Sequence, residues 1–180
     1  MKRMLVVVLF VLALSASAFP QDPALDKALL AAPPQAKAGA TVIKWKSDFT
    51  YDTLRKGTNR LVCYERPVAP GGQPFSVECT SIANLERVAQ SLKTETIVDV
   101  KERQAAFEAM EKAGKWTKPE FGSIFYNLTG ADQATARSHA TIAMPGATNQ
   151  TLGLPETGAQ GGAWIMNAGT LSAHIMTPGS

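Results

Sequence analysis

Two cysteines, two histidines and six methionines make up most of what this chain offers for chemistry. Cys63 and Cys79 each follow strand-like residues, lack the Cys-x-x-Cys spacing of a redox pair and have no histidine nearby. A structural disulfide is therefore their expected state in an oxidising compartment. Closing a loop of that length is worth roughly 3 kcal/mol in the chain-entropy account. His174 and Met176 stand two apart on a strand-like segment and so share a face. Imidazole with thioether is a ligand set that suits copper. With His139 and Met144 on another C-terminal strand, a four-ligand metal site is conceivable. The competing reading makes the methionines gap fillers and each histidine a hydrogen-bonded structural residue.

Other combinations read as ordinary surface. Glu95, Asp99 and Glu102 fall at helical spacing, where a carboxylate pair could do acid and base work, but interleaved Lys101 and Arg103 describe a solvated, charge-balanced face. Lys44, Trp45 and Lys46 with Arg55, Lys56 and Arg60 could form a basic aromatic platform for single strands. Strand alternation instead sends Trp45 inward and both lysines outward. The nucleophile elbow, the His-Glu-x-x-His zinc motif, the phosphate-binding glycine loop and the dinucleotide fingerprint are all absent from the sequence. A Ser-His-acid triad would have to use His139 or His174, whose neighbours Ser138 and Ser172 are too local in sequence to be informative. Asn127 and Asn149 begin Asn-x-Thr sequons.

The elements that must position these residues follow from periodicity and punctuation. Residues 1–18 carry Lys2 and Arg3, the apolar run Leu5 to Leu14, and a small-residue end at Ala16 and Ala18, the pattern of a signal peptide cleaved after Ala18. Ten apolar residues are half the span a bilayer helix needs, about 20, so no stable membrane anchor is expected after processing. The chain is expected to be exported, periplasmic or extracellular. Residues 19–40, rich in proline and alanine, read as a tether with one helical patch from Pro23 to Ala32 capped by Asp22.

Residues 41–180 then read as a single α+β domain. Ile43, Trp45, Phe49 and Tyr51 alternate with Lys44, Lys46, Asp48 and Asp52 as half-buried strands do. Two more strands follow, over Arg60 to Arg66 and Phe75 to Cys79. Ser81 can cap a helix with Ile82, Leu85, Val88, Ala89 and Leu92 at helical spacing, and a second helix is predicted over Thr96 to Lys112 with Val100, Phe107 and Met110 inward, stopped by Gly114. Strands return at Phe121 to Leu128, His139 to Met144, Ala163 to Asn167 and Leu171 to Met176, the last two as a hairpin. Strands, then two inserted helices, then strands predict a mostly antiparallel sheet.

Charge is uneven along this domain. Residues 121–180 contain only Asp132, Arg137 and Glu156, so their strands are expected to form the buried centre of the sheet, with a neutral sticky surface as the alternative. Without Lys2 and Arg3, 16 basic residues face 15 acidic ones, which gives no electrostatic drive toward nucleic acid.

Taken in order, Ala40 to Trp45 (ATVIKW), Leu54 to Asn59 (LRKGTN), the Cys63 and Cys79 pair, Gly161 to Met166 (GGAWIM) and Ala173 to Met176 (AHIM) resemble a family of small exported bacterial proteins. That family has a Leu-Arg-x-Gly-Thr-Asn turn before its first cysteine and a His-Ile-Met ending. The resemblance implies export and a shared fold, and it implies no activity. The chain departs from the pattern at Arg60 to Cys63, where the family carries Gly-Trp-Thr-Cys, and over Leu85 to Met110, where it carries a tryptophan- and methionine-rich helix.

These observations lean away from an enzyme and toward a non-catalytic binding or structural module, exported, with no cofactor implied. Its partner would be a small molecule, another protein or a second copy of itself. A periplasmic copper-handling protein and a small hydrolase with His174 as base are the alternatives.

Overall fold

A computed structural model describes residues 22–179. The expected signal peptide, its cleavage site and Ser180 lie outside those residues. At the start of the described chain Asp22 accepts from the Ala24 amide at 2.9 Å and Pro23 occupies the first helical position, which opens helix α1, Pro23–Ala28. A single 3₁₀ turn over Leu29–Ala31 and a short helix α2, Pro34–Lys37, follow. From residue 22 on, the expected tether is instead packed structure. Ala28 and Leu29 are buried beside Val42, Cys63 and Cys79, because Leu25, Ala28 and Leu29 form an apolar stripe at i, i+3, i+4 that is better covered than left in water.

The strands come next: β1 Thr41–Trp45, β2 Tyr51–Arg55, β3 Leu61–Glu65 and β4 Phe75–Ser81. Gly57 returns the chain from β2 past the start of β1 so closely that a Cβ there would lie 2.3 Å from the Gly39 carbonyl oxygen and 2.4 Å from the Thr41 nitrogen, so only glycine fits. Ser81 caps a 3₁₀ turn leading into helix α3, Leu85–Glu95. Helix α4, Val100–Lys112, starts four residues later than the sequence suggests, because Asp99 accepts from the amides of Lys101 and Glu102, both at 2.9 Å. Val100, expected to face inward, is the first residue of α4 and is exposed, as is Ile82 in the 3₁₀ turn before α3; Gly114 follows at φ +65°. The chain ends with β5 Ile124–Gly130, β6 Arg137–Ala143, the short helix α5 Asn149–Leu152, β7 Trp164–Met166 and β8 His174–Met176.

Among the described residues all eight strands join one sheet in the order β2-β1-β3-β4-β5-β6-β8-β7, antiparallel at every junction except the parallel pair β1 and β3. The fold is α+β on a mostly antiparallel sheet. Its helices are not confined to the pair expected between the two strand groups, since α1, α2 and α5 lie elsewhere in the chain.

Alternation sorts the side chains to two faces. On one, Ile43, Trp45, Val62 and Tyr64 pack under Leu85, Val88 and Leu92 of α3. On the other, Val42, Cys63 and Cys79 pack under α1 and its 3₁₀ turn. Cys63 and Cys79 stand directly opposite each other on β3 and β4 and are disulfide-bonded, a state that belongs to an oxidising environment. Among the described residues no helix is long and apolar enough to cross a membrane. The almost uncharged C-terminal strands do not form the buried centre. β5, β6, β8 and β7 make the outer half of the sheet, and most of their residues are only half-buried.

Candidate functional site

The register fixes what lies on the α3 face of the outer half. Glu78 stands opposite Asn127, which stands opposite His139. One step along, Phe125, Thr141, Met176 and Trp164 form the next row, and Ala143, His174 and Met166 the row after that. His174 and Met176 share a face as expected. His139 is four positions along β6 from Ala143, the residue opposite His174, which separates the two histidines by roughly 13 Å along the sheet. Met144 lies past the end of β6, its amide donating to the Ala173 carbonyl at 2.9 Å. The structure thus brings His174 and Met176 together and leaves His139 apart. Among the described residues no group of three or more His, Cys, Asp or Glu side chains converges to hold a metal ion.

The other side chains singled out in the sequence have structural tasks. Trp45 is inward at 8% exposure, with Lys44 and Lys46 outward. Asp99 is the cap of α4, and Glu95 belongs to an ion-pair cluster. Asn127 donates to the Phe125 carbonyl at 3.2 Å within β5, and Asn149 opens α5.

That cluster lies where the two halves of the sheet meet. Tyr64 and Glu78 are cross-strand partners, so the fully buried phenol donates to a carboxylate that is itself only 4% exposed. Arg66 donates to the second oxygen of Glu78 at 3.0 Å and to both oxygens of Glu95, on α3, at 2.5 and 2.7 Å. Burial works against the charge of Arg66, but Glu78 and Glu95 beside it hold the guanidinium above its ordinary range. Burial, then the charge of Glu78, pushes the Tyr64 hydroxyl well up, so it stays a donor. The cluster is internally satisfied and fixes one wall of a cleft.

The cleft opens between α3 and the outer half of the sheet. A cavity of about 160 Å³ there has apolar walls from Val88, Pro119, Phe125, Ala143 and Ala173. A second cavity of about 410 Å³ adjoins it under α4, sharing Arg87, Ser91, Ser172 and His174 with the first. The segment between α4 and β5 closes the end: Gln90 Oε1 accepts from the Thr117 amide at 2.8 Å, and the fully buried Asn84 accepts from the Glu120 amide at 2.8 Å. Glu111 on α4 accepts from the Leu171 amide at 2.7 Å, tying that helix to the approach to β8.

Ser172 is the hub of the cleft. Its hydroxyl accepts from Arg87 Nη2 at 2.8 Å and from Trp116 Nε1 at 3.3 Å. Its carbonyl faces His174 Nδ1 at 2.8 Å. A carbonyl only accepts, so Nδ1 carries the hydrogen and Nε2 of the neutral ring is left as an acceptor. Arg87 lies over the Trp116 ring, 4.1 Å from its centroid, and Nη1 donates to the Thr117 carbonyl at 3.0 Å. Trp116 is in turn held edge-on by Phe107. Among the described residues no carboxylate comes within ion-pair distance of Arg87. Burial pushes this guanidinium down to about 10, only partly opposed by the field of Glu111.

Arg87, Trp116, Arg66 and Glu78 escape a sequence reading built on histidines, cysteines and acidic spacing. The available signal was Arg87 with Ser91 at i, i+4 beside the apolar stripe of α3. No protein-family model, curated protein or solved structure matches the chain.

Proposed function

We propose that this chain is an exported, non-catalytic binding module whose ligand sits in the cleft between α3 and the C-terminal half of the sheet. The observation that carries the reading is Arg87: a partly buried cation with no carboxylate in ion-pair distance among the described residues, held by Trp116, Thr117 and Ser172 at the mouth of a preformed cavity. A desolvated charge is costly unless something offsets it, and a concave, mostly apolar site with a few convergent polar groups is the usual setting of a ligand. The Arg66, Glu78 and Glu95 cluster supports the cleft by locking β3, β4 and α3 into one arrangement, as a preorganised site requires. The disulfide supports export, since such bonds persist in oxidising compartments.

Native mass spectrometry of the protein purified from its exported compartment tests this. A processed chain, two hydrogens lighter than its reduced form and carrying a small organic molecule that Arg87→Gln fails to retain, is the expected result. Retained copper that is lost in His174→Ala, or saturable ester hydrolysis lost in the same variant, would replace the reading with a metal-handling or hydrolytic one.

A further inference from the structure

Resting on the cleft as a binding site, we propose that its ligand is a small organic monocarboxylate with an apolar body about the size of one six-membered ring, held by Arg87 and the Ser172 hydroxyl.

The donors come first. A guanidinium has five N–H groups in a fixed plane, of which Arg87 uses one toward Thr117 and one toward Ser172. Three remain, and stacking on Trp116 holds the plane in which they point. Ser172 Oγ already accepts from both Arg87 and Trp116, so its lone pairs are engaged while its proton has no acceptor among the described residues. A forked cation beside a hydroxyl donor is the arrangement that grips a carboxylate through two parallel bonds.

Size and lining set the rest of the ligand. The inner cavity, about 160 Å³, is close to one that elsewhere encloses a benzene molecule, about 150 Å³. Its Val88, Phe125 and Ala143 walls ask for an apolar body. Its one acidic wall residue, Glu78, is already bonded by Tyr64 and Arg66 and does not compete for Arg87.

Charge limits the anion to a single negative unit. Arg66 is committed to two carboxylates, which leaves Arg87 as the one lining cation without an ion-pair partner among the described residues. Glu108 and Glu111 line the adjoining cavity and repel a dianion, while Glu95 there is bonded to Arg66. A phosphate group is disfavoured on the same ground. An amino group on the ligand's outer end would meet Glu108 and Glu111, so simple carboxylates and free amino acids are two sources of the one recognised chemistry.

Calorimetric titration of the oxidised protein with benzoate, benzamide, leucine and phenyl phosphate distinguishes the cases. Benzoate or leucine should bind, with benzamide and phenyl phosphate weaker than benzoate by about tenfold or more, the scale of a charge-assisted hydrogen bond. Arg87→Gln should remove carboxylate binding by at least about tenfold, and Ser172→Ala should weaken it several-fold. The exposed Arg137→Gln, with the same change in charge, should not alter it. If Arg87→Gln unfolds, Arg87→Lys keeps the charge without the fork and should still lose affinity. Benzamide matching benzoate, or phenyl phosphate exceeding it, would overturn the carboxylate assignment and leave the cleft standing as a site. Failure of all four probes would overturn both.

Discussion

The two halves of the sheet are built from similar lengths of strand and have opposite surroundings. β1, β3 and β4 have helices on both faces, with α3 over Trp45 and Tyr64 and the N-terminal helix over Val42 and the disulfide, while β2 is the more exposed edge strand. β5, β6, β8 and β7 lie largely half-buried, with a cleft where a packed helix face would otherwise be. The difference teaches where each task resides. The first half carries most of the buried hydrophobic residues of the sheet, which leaves the second free to shape a site on that scaffold. Glu78 sits on the seam, with Tyr64 behind it and the cleft in front.

The seam should therefore give the largest effect. Glu78→Ala leaves the buried Tyr64 hydroxyl without its acceptor and Arg66 with one carboxylate in place of two. Removing one partner of a buried ion pair costs about 3–5 kcal/mol, and urea unfolding should show a loss of that order. A loss below about 1 kcal/mol would mean that the halves are not joined through this cluster.

Next comes the disulfide. Replacing Cys63 and Cys79 by alanine should cost roughly 3 kcal/mol. The loss should be unevenly visible. Hydrogen exchange should quicken at the best-protected amides of β1, β3 and β4, which open only with the whole fold, and change little in the β7 and β8 hairpin, which opens locally. Uniform acceleration in both halves would contradict the division drawn here. A matched pair sharpens it further: Ile43→Ala, at a site 2% exposed, should cost about 2–5 kcal/mol, whereas half-buried Ile142 in β6 should cost about 2 kcal/mol less. Equal losses would show the outer half to be as tightly packed as the inner one.

The closed half was the more legible of the two in sequence. Alternation of Ile43 and Trp45 with charged neighbours, and the Asp22 and Ser81 caps, act locally and survive folding unchanged. The hairpin of β7 and β8 was also readable from its turn. What could not be read depends on contacts between distant segments. The parallel pairing of β1 with β3 and the docking of residues 22–40 have no local signature. The low charge of residues 121–180 suggested depth, because sequence shows what a side chain avoids and not what covers it. The cleft shares that difficulty, for Arg87, Trp116 and Ser172 meet only once three separate segments are folded.

The smallest expected effect is one that the two halves should share. Each has a hairpin turn organised by an aspartate: Asp48 accepts from the Thr50 hydroxyl at 2.7 Å and amide at 3.0 Å, and Asp132 accepts from the Thr135 hydroxyl and amide, both at 2.8 Å. In both turns the threonine hydroxyl, then the amide, holds the carboxyl below its ordinary value of 3.8. A depressed carboxyl pKa contributes stability that is present above the unfolded value and is lost as pH falls through the folded one. The Thr50 and Thr135 amide signals in an NMR titration should therefore both move with midpoints below 3.8, and Asp48→Asn and Asp132→Asn should each abolish the movement in their own turn alone. A Thr135 midpoint at or above 3.8, with Thr50 still below it, would show that the looseness of the outer half reaches its turn. Equal midpoints would confine that looseness to packing and leave local hydrogen bonding the same in both halves.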